Sequence, residues 1–256
     1  MASDHVLVKA EGEFTTITLN RPERRNALSL PLMRELLDAF RDAGASSARG
    51  VVLAASGPVF SAGHDFRDLA GADEHAVRHL VETCTELMLT IQELPQPVVA
   101  QVQGLATAAG CQLVASADLA VAAERARFAT PGGSGGWFCH TPLVAVARAI
   151  PRKRALELGM TGDTIDARTA CEWGLVNEVV PEHELERATL DLLRRATRGS
   201  AASKAIGKRT FYEQADLPLR AAYEHAVDVM ARTSQTPEAQ EAFAAFLEKR
   251  PPRFER

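Results

Sequence analysis

Several features that would settle a protein's class at a glance are missing from this sequence. Cysteine is scarce: Cys84, Cys111, Cys139 and Cys171 are all there is in 256 residues. They lie far apart with no C-x-x-C pair, so neither a zinc site nor a dithiol redox motif is indicated. Four isolated cysteines in a chain this long read as reduced, buried thiols in a reducing compartment. No apolar run is long enough to span a membrane. The first residues, Met1-Ala2-Ser3-Asp4-His5, lack the charged-then-apolar pattern of a signal peptide. These absences together point to a cytoplasmic protein. Positive charge is not in excess either: Lys and Arg number 29 against 33 Asp and Glu, for a net charge of −4. That balance argues against a nucleic-acid surface, which calls for a basic domain. A local cationic patch for a phosphate-rich ligand stays open.

Two apparent motifs also lack a necessary part. His75 and His79 have the i, i+4 spacing of metal ligands, but Ala76 follows His75, so H-E-x-x-H is absent and a solvated helix face is expected. No metal is implied. Gly132-Gly133-Ser134-Gly135-Gly136 looks like a phosphate cradle but has no P-loop lysine.

What is present is a recurring pattern of strand, turn and helix. Val6–Lys9 and Phe14–Leu19 read as strands around a Glu11-Gly12-Glu13 turn, and Asn20–Leu28 as a charged loop. Ser29 is a helix cap, and Leu32, Met33, Leu36, Leu37 and Phe40 fall on one helical face. Strands are expected at 50–55, 98–103 and 119–122, and helices at about 75–93 and 108–116. Beyond a Gly- and Pro-rich loop at 130–142, helices are expected at about 142–160, 166–173, 183–198, 201–213, 217–233 and 236–248. This alternation argues α/β, with a boundary near 198 between a core (1–198) and a C-terminal helical region (199–256). Apolar tail positions such as Leu219, Val227, Met230, Phe243 and Phe246 need something to cover.

Two small-residue turns carry the chemistry. Phe60-Ser61-Ala62-Gly63-His64-Asp65-Phe66 follows the strand at 50–55, and Gly104–Gln112 follows the strand at 98–103. Small residues let a backbone approach a ligand closely. Two such strand-to-helix turns can aim two backbone N–H groups at one point, which is how an oxyanion hole is built without side chains.

This pair of turns, with Asn20-Arg21-Pro22…Asn26-Ala27-Leu28 upstream and Phe243…Arg250 at the end, resembles the crotonase (enoyl-CoA hydratase/isomerase) superfamily. The resemblance implies a spiral of ββα units with a C-terminal trimerisation region, giving a homotrimer or a dimer of trimers. It implies an acyl-CoA thioester as ligand and no separate cofactor, coenzyme A entering as part of the substrate. Carried over to this chain, the oxyanion donors are the N–H groups of His64 and Ala109. The Ala62 carbonyl would lie near the adenine amine. Backbone at Glu23–Arg25 would flank the nucleotide, and Arg24 or Arg25 would reach a phosphate. Asp65 and Phe66 would fall beside the ligand.

The pattern then departs from a hydratase. Adding water across a double bond calls for two carboxyl groups, one as base and one as acid. The two family glutamates fall on Gln112 and on Gly132, in Phe128-Ala129-Thr130-Pro131-Gly132. This resembles the branch of hydratase-domain-containing proteins that lack both. The His64 side chain is the first candidate to replace them, since imidazole titrates near neutrality. Cys139, His140 and Ser134 are weaker ones. Asp68 is expected as a surface or capping residue, and Asp118 as a structural hydrogen-bonding group. An enolate-stabilising enzyme, a non-catalytic or regulatory CoA-thioester-binding protein, and an acyl-CoA decarboxylase all remain open.

Overall fold

The computed structural model describes residues 5–254, so the N-terminal reading of Met1–Asp4 lies outside the described residues. Strands β1 (Val6–Glu11) and β2 (Phe14–Leu19) form an antiparallel hairpin. Helix α1 (Leu30–Ala45) follows. The Ser29 hydroxyl accepts from Leu32 N–H at its start, and Leu32, Met33, Leu36, Leu37 and Phe40 are buried, as the apolar stripe requires.

Three similar coils come next. Each lays down a long strand, a short strand and a helix: β3 (Gly50–Ala55), β4 (Val59–Ser61) and α2 (Glu74–Glu93); β5 (Val98–Val102), β6 (Leu105–Thr107) and α3 (Ala109–Ser116); β7 (Leu119–Ala123), β8 (Arg127–Ala129) and α4 (His140–Ala149). The chain closes with α5 (Arg152–Thr161), β9 (Ile165–Asp166), α6 (Ala167–Trp173), β10 (Glu178–Val180), α7 (Leu185–Ala196), α8 (Ala201–Ala215), α9 (Leu219–Thr233) and α10 (Pro237–Leu247).

The long strands build one sheet in the order β1-β2-β3-β5-β7-β10, parallel except for the first pair. The short strands build a second, β4-β6-β8-β9, parallel except for the last pair. Each coil thus adds one strand to each sheet, which is the ββα spiral that the resemblance implies. The central strands β3, β5 and β7 are largely apolar without alternation because both their faces are covered. Leu53, Val98, Val99, Ala100, Val121 and Ala122 are fully buried.

Two expectations are corrected. The single helix at 142–160 is two helices, because Pro151 has no N–H to donate and its ring excludes a continuous turn. The two small-residue turns begin with strands of only three residues, β4 and β6, too short to show any period in sequence.

Neither hydrophobic core cluster includes a described residue beyond Leu193. Helices α8, α9 and α10 leave Leu219, Tyr223, Met230 and Phe246 exposed and enclose an apolar groove of about 960 Å³. One buried contact ties this tail to the core. Lys208 Nζ lies 2.7 Å from Asp118 Oδ2 and donates to the Ile91 and Gln96 carbonyls, while Tyr212 OH donates to Asp118 Oδ1. Asp118 also accepts from Val98 N–H, so its structural role is as expected. Among the described residues no helix is long and apolar enough to cross a membrane.

Candidate functional site

Asn26 organises the first half of the site. It is fully buried at φ 50°, a left-handed conformation that asparagine tolerates better than most residues. Its Nδ2 donates to the Ser56 and Val59 carbonyls, and its Oδ1 accepts from Arg21 N–H. Ser61 Oγ donates to the Asn26 carbonyl. The charged loop is thereby fastened to the turn after β4. Further bonds run from Ala62 N–H to the Arg25 carbonyl and from Leu28 N–H to the Gly63 carbonyl.

The second half is the start of α3. Ala108 has φ 51° and ψ −120°, a conformation costing an alanine on the order of 1–3 kcal/mol. Its N–H donates to the Ala129 carbonyl of β8, and its carbonyl accepts from Gln112 N–H. This strained residue turns the chain from β6 into the helix. Ala109 N–H, in the first turn of α3, points out of the helix end.

The two halves touch. Gly63 has φ +83°, and a Cβ there would lie 2.9 Å from Ala108 Cβ, 3.0 Å from the Thr107 carbonyl and 3.2 Å from Ala109 N. A Cβ on Gly110 would lie 2.3 Å from the Ser61 carbonyl oxygen. Only glycine at both positions lets the turns approach this closely. Ser61 pairs with Ala106 in the β4–β6 register, so His64 and Ala109 each stand three residues beyond the same rung.

Both N–H groups are unengaged. His64 forms a parallel bridge with Leu28 that uses the Gly63 carbonyl and the Asp65 N–H. In a parallel ladder this leaves the N–H of His64 itself facing the other edge. Neither His64 N–H nor Ala109 N–H has an acceptor among the described residues.

The remaining expected residues take varied places. Arg24 and Arg21 approach the buried Asp65 carboxylate at 3.6 and 3.9 Å. Asp65 also accepts from Arg67 N–H, so its charge is taken up within the loop. Arg25 is exposed and Phe66 is 73% exposed. Asp68 accepts from Leu30 N–H at the start of α1 and is the capping residue expected. Gln112 is buried on α3, with Cys84 Sγ 4.0 Å from its Oε1. Gly132 opens a short helical turn, and a Cβ there would lie 2.1 Å from the Trp137 carbonyl oxygen and 2.8 Å from Cys139 Sγ. The loop has folded into the space that a side chain at 132 would need. All four cysteines are free, and burial pushes the Cys84 and Cys111 thiols up to about 12.

Sequence reasoning missed Trp137. Its ring lies 6.2 Å from that of His64, tilted by 46°. Burial pulls the His64 pKa below the ordinary histidine value, with the Leu28 carbonyl and the Asp68 carboxylate acting the other way. No group of His, Cys, Asp and Glu among the described residues is arranged to hold a metal ion.

A two-sheet ββα spiral with C-terminal helices is the crotonase fold. The chain belongs to the enoyl-CoA hydratase/isomerase family, whose model matches residues 9–256. It is 45% identical over 240 residues to the Mus musculus mitochondrial enoyl-CoA hydratase domain-containing protein 3, covering 92% of this chain and 79% of that protein. The crystal structure of human enoyl-Coenzyme A hydratase domain-containing protein 3 superposes with a TM-score of 0.93 at 40% identity, covering 98% of this chain and 100% of that one. The structure of Mycobacterium smegmatis enoyl-CoA hydratase gives a TM-score of 0.94 at 42% identity, covering 98% and 99%. The resemblance to the hydratase-domain-containing branch is thus upheld. The mouse protein is named as mitochondrial, which lends the expected cytoplasmic location no support.

Proposed function

We propose that this chain binds acyl-CoA thioesters and holds the thioester oxygen between the N–H groups of His64 and Ala109. The observation that carries this reading is the meeting of the two turns, each with an unengaged N–H. Two donors on that oxygen stabilise the negative charge that develops when the α-carbon loses a substituent, as in hydratase and isomerase chemistry. Each donor is worth roughly 3–4 kcal/mol of barrier in comparable sites. The N-terminal end of α3 adds its positive dipole. Ala62, Arg24, Arg25, Asp65 and Phe66 form the coenzyme side. The reading divides the chain into a core at 1–198 and a helical region at 199–256 whose exposed apolar faces assemble a homotrimer or a dimer of trimers.

Ordinary two-carboxylate hydration is not the chemistry we assign. Position 112 carries an amide and position 132 no side chain, while Asp65 and Asp68 are committed to Arg67 and Leu30 N–H groups. The pocket side therefore offers His64 as its titratable group. The absence of a paired acid and base also favours, as a second reading, a CoA-thioester-binding protein without turnover.

Calorimetry with a panel of acyl-CoAs tests the first claim. Dissociation constants in the micromolar range, about −8 kcal/mol, are expected, and no heat at millimolar ligand would sink it. Crotonyl-CoA hydration tests the second. Each acid–base group contributes about 10²–10⁴-fold, so turnover is expected several powers of ten below about 1–10³ s⁻¹. Prolonged incubation with the same panel separates enzyme from binding protein.

A further inference from the structure

One side chain closes the second coil on itself. The coil runs from Val98, where β5 starts, through β6 and α3 to Asp118, just before β7. Asp118 Oδ2 accepts from Val98 N–H at 2.7 Å, so the end of the coil is bonded to its beginning. The two side chains that hold this carboxylate both come from α8, in the helical tail. Lys208 Nζ lies 2.7 Å from Oδ2, and Tyr212 OH donates to Oδ1 at 2.9 Å. The Lys208 and Asp118 side chains are only 10% and 14% exposed. An ammonium group has three protons to give. Beyond Asp118, Lys208 donates to the carbonyls of Ile91, near the end of α2, and of Gln96, in the link to β5, at 2.9 and 3.0 Å. All three protons are thus spent on the two ends of the coil and the segment that leads into it.

The closed coil carries the second of the two unengaged N–H groups. Helix α3 has eight residues and is about 12 Å long, with Ala109 at its start and Asp118 two residues past its end. The start is strained, because Ala108 stands at φ 51°. A strained residue persists only where its surroundings over-determine it. At the start of α3 the hold is the bond from Ala108 N–H to the Ala129 carbonyl. Past its end the hold is Asp118. Freeing that end lets the short helix shift, relaxes Ala108 and moves Ala109 N–H relative to His64 N–H.

We propose that Asp118, held by Lys208 and Tyr212, is a positioning residue for the Ala109 donor. The tail fixes the carboxylate, the carboxylate closes the coil, and the closed coil sets where the Ala109 N–H points. This rests on the thioester-oxygen reading above and goes beyond it by giving the helical tail a part in the site.

The test compares butyryl-CoA with S-butyl-CoA, the thioether that has CH₂ in place of the thioester C=O, by calorimetry on the full chain. One net hydrogen bond corresponds to roughly 2–13-fold in affinity, so the parent should prefer the thioester by at least that factor. Two double variants remove the buried charges together. Lys208→Met with Asp118→Leu also removes the acceptor for Val98 N–H, and the preference should fall by roughly 2–13-fold. Lys208→Met with Asp118→Asn keeps an amide oxygen for Val98 N–H, and most of the preference should remain. The preference is the readout because a merely structural role lowers both affinities together and leaves their ratio alone. If the Asp118→Leu pair does not fold, Tyr212→Phe decides: it takes one donor from the carboxylate and should lower the preference about twofold. A full preference in the Asp118→Leu pair, equal losses in both double variants, or an unchanged preference in Tyr212→Phe would each overturn the proposal. A parent that binds the thioester no better than the thioether would instead overturn the thioester-oxygen reading on which it rests.

Discussion

The contact between the two turns can be measured with a pair of glycine substitutions. Gly63 and Gly71 have nearly the same backbone conformation, φ +83° and +77°. Their surroundings differ completely. A Cβ on Gly71 meets nothing within 4 Å, whereas one on Gly63 meets Ala108, Thr107 and Ala109 at 2.9–3.2 Å. Gly71→Ala therefore carries only the left-handed strain of an L-residue, about 1–2 kcal/mol. Gly63→Ala carries the same strain plus overpacking of about 1–3 kcal/mol. The loss of unfolded-chain freedom is common to both and cancels in the difference. Urea unfolding should thus separate the two variants by about 1–3 kcal/mol, a midpoint gap of roughly 0.3–1.5 M. The functional consequence should be sharper. Gly63→Ala pushes His64 away from Ala109, so acyl-CoA affinity should fall by about one hydrogen bond, roughly tenfold, while Gly71→Ala binds like the parent. Equal stability losses together with equal acyl-CoA affinities would refute the juxtaposition of the turns as the basis of the site.

Restoring carboxylates should fail: with 2.1 Å between a Cβ at 132 and the Trp137 carbonyl oxygen, Gln112→Glu combined with Gly132→Glu should destabilise by about 1–3 kcal/mol or more without a gain in crotonyl-CoA hydration. A hundredfold rise in rate would show that the loop makes room. Lys208→Met leaves Asp118 as a buried charge without its cation and should cost about 3–5 kcal/mol in chemical denaturation, partly recovered by adding Asp118→Leu. Stability equal to the parent would remove this contact as the anchor of the tail. At pH 8 the folded protein should be alkylated first at the half-buried Cys171, with Cys84 and Cys111, pushed up to about 12, reacting only after unfolding; mass spectrometry decides, and equal labelling rates in the native state would count against their burial. Because folding lowers the His64 pKa, its stabilising neutral state is complete above the ordinary value of about 6.5 and is lost as pH falls through the folded value. The parent should therefore lose stability relative to His64→Phe as pH falls below about 6.5, and parallel curves would contradict the burial of the ring.

Much of the fold was legible because its long elements obey simple periodicities. The stripe Leu32, Met33, Leu36, Leu37, Phe40 behind a Ser29 cap is a helix by spacing alone. The apolar run at 50–55 and that at 98–102, interrupted by Gln101 alone, are strands buried on both faces. Three-residue strands such as β4, β6 and β8 contain no period to read, and they exist because successive coils place them side by side. The site divides in the same way. The hydrogen-bonding role of Asp118 followed from its position just before β7, whereas the helix that Asp68 caps, α1, begins 38 residues upstream of it. The contact between His64 and Trp137 joins positions distant in the chain, and no local pattern encodes it. The closeness of Gly132 to the Trp137 carbonyl depends on the path of a glycine-rich loop, which composition marks as shaped without saying how.

The β4–β6 register has a metrical consequence. Rungs of neighbouring strands in a sheet stand about 4.8 Å apart. Two N–H donors at equal positions on successive coils inherit about that separation, and His64 and Ala109 occupy such positions beyond the Ser61–Ala106 rung. An oxygen about 2.9 Å from each of two nitrogens so spaced sees them at an angle near 110°, close to the divergence of the two lone pairs of a carbonyl. On the proposed reading, the pitch of the spiral would set the spacing of the two donors around one oxygen atom. Any pair of consecutive coils that each release one N–H past a shared rung would offer the same spacing, whatever side chains surround it. On that reading, loops such as 130–139 can change while the spacing of the two proposed donors stays with the sheet.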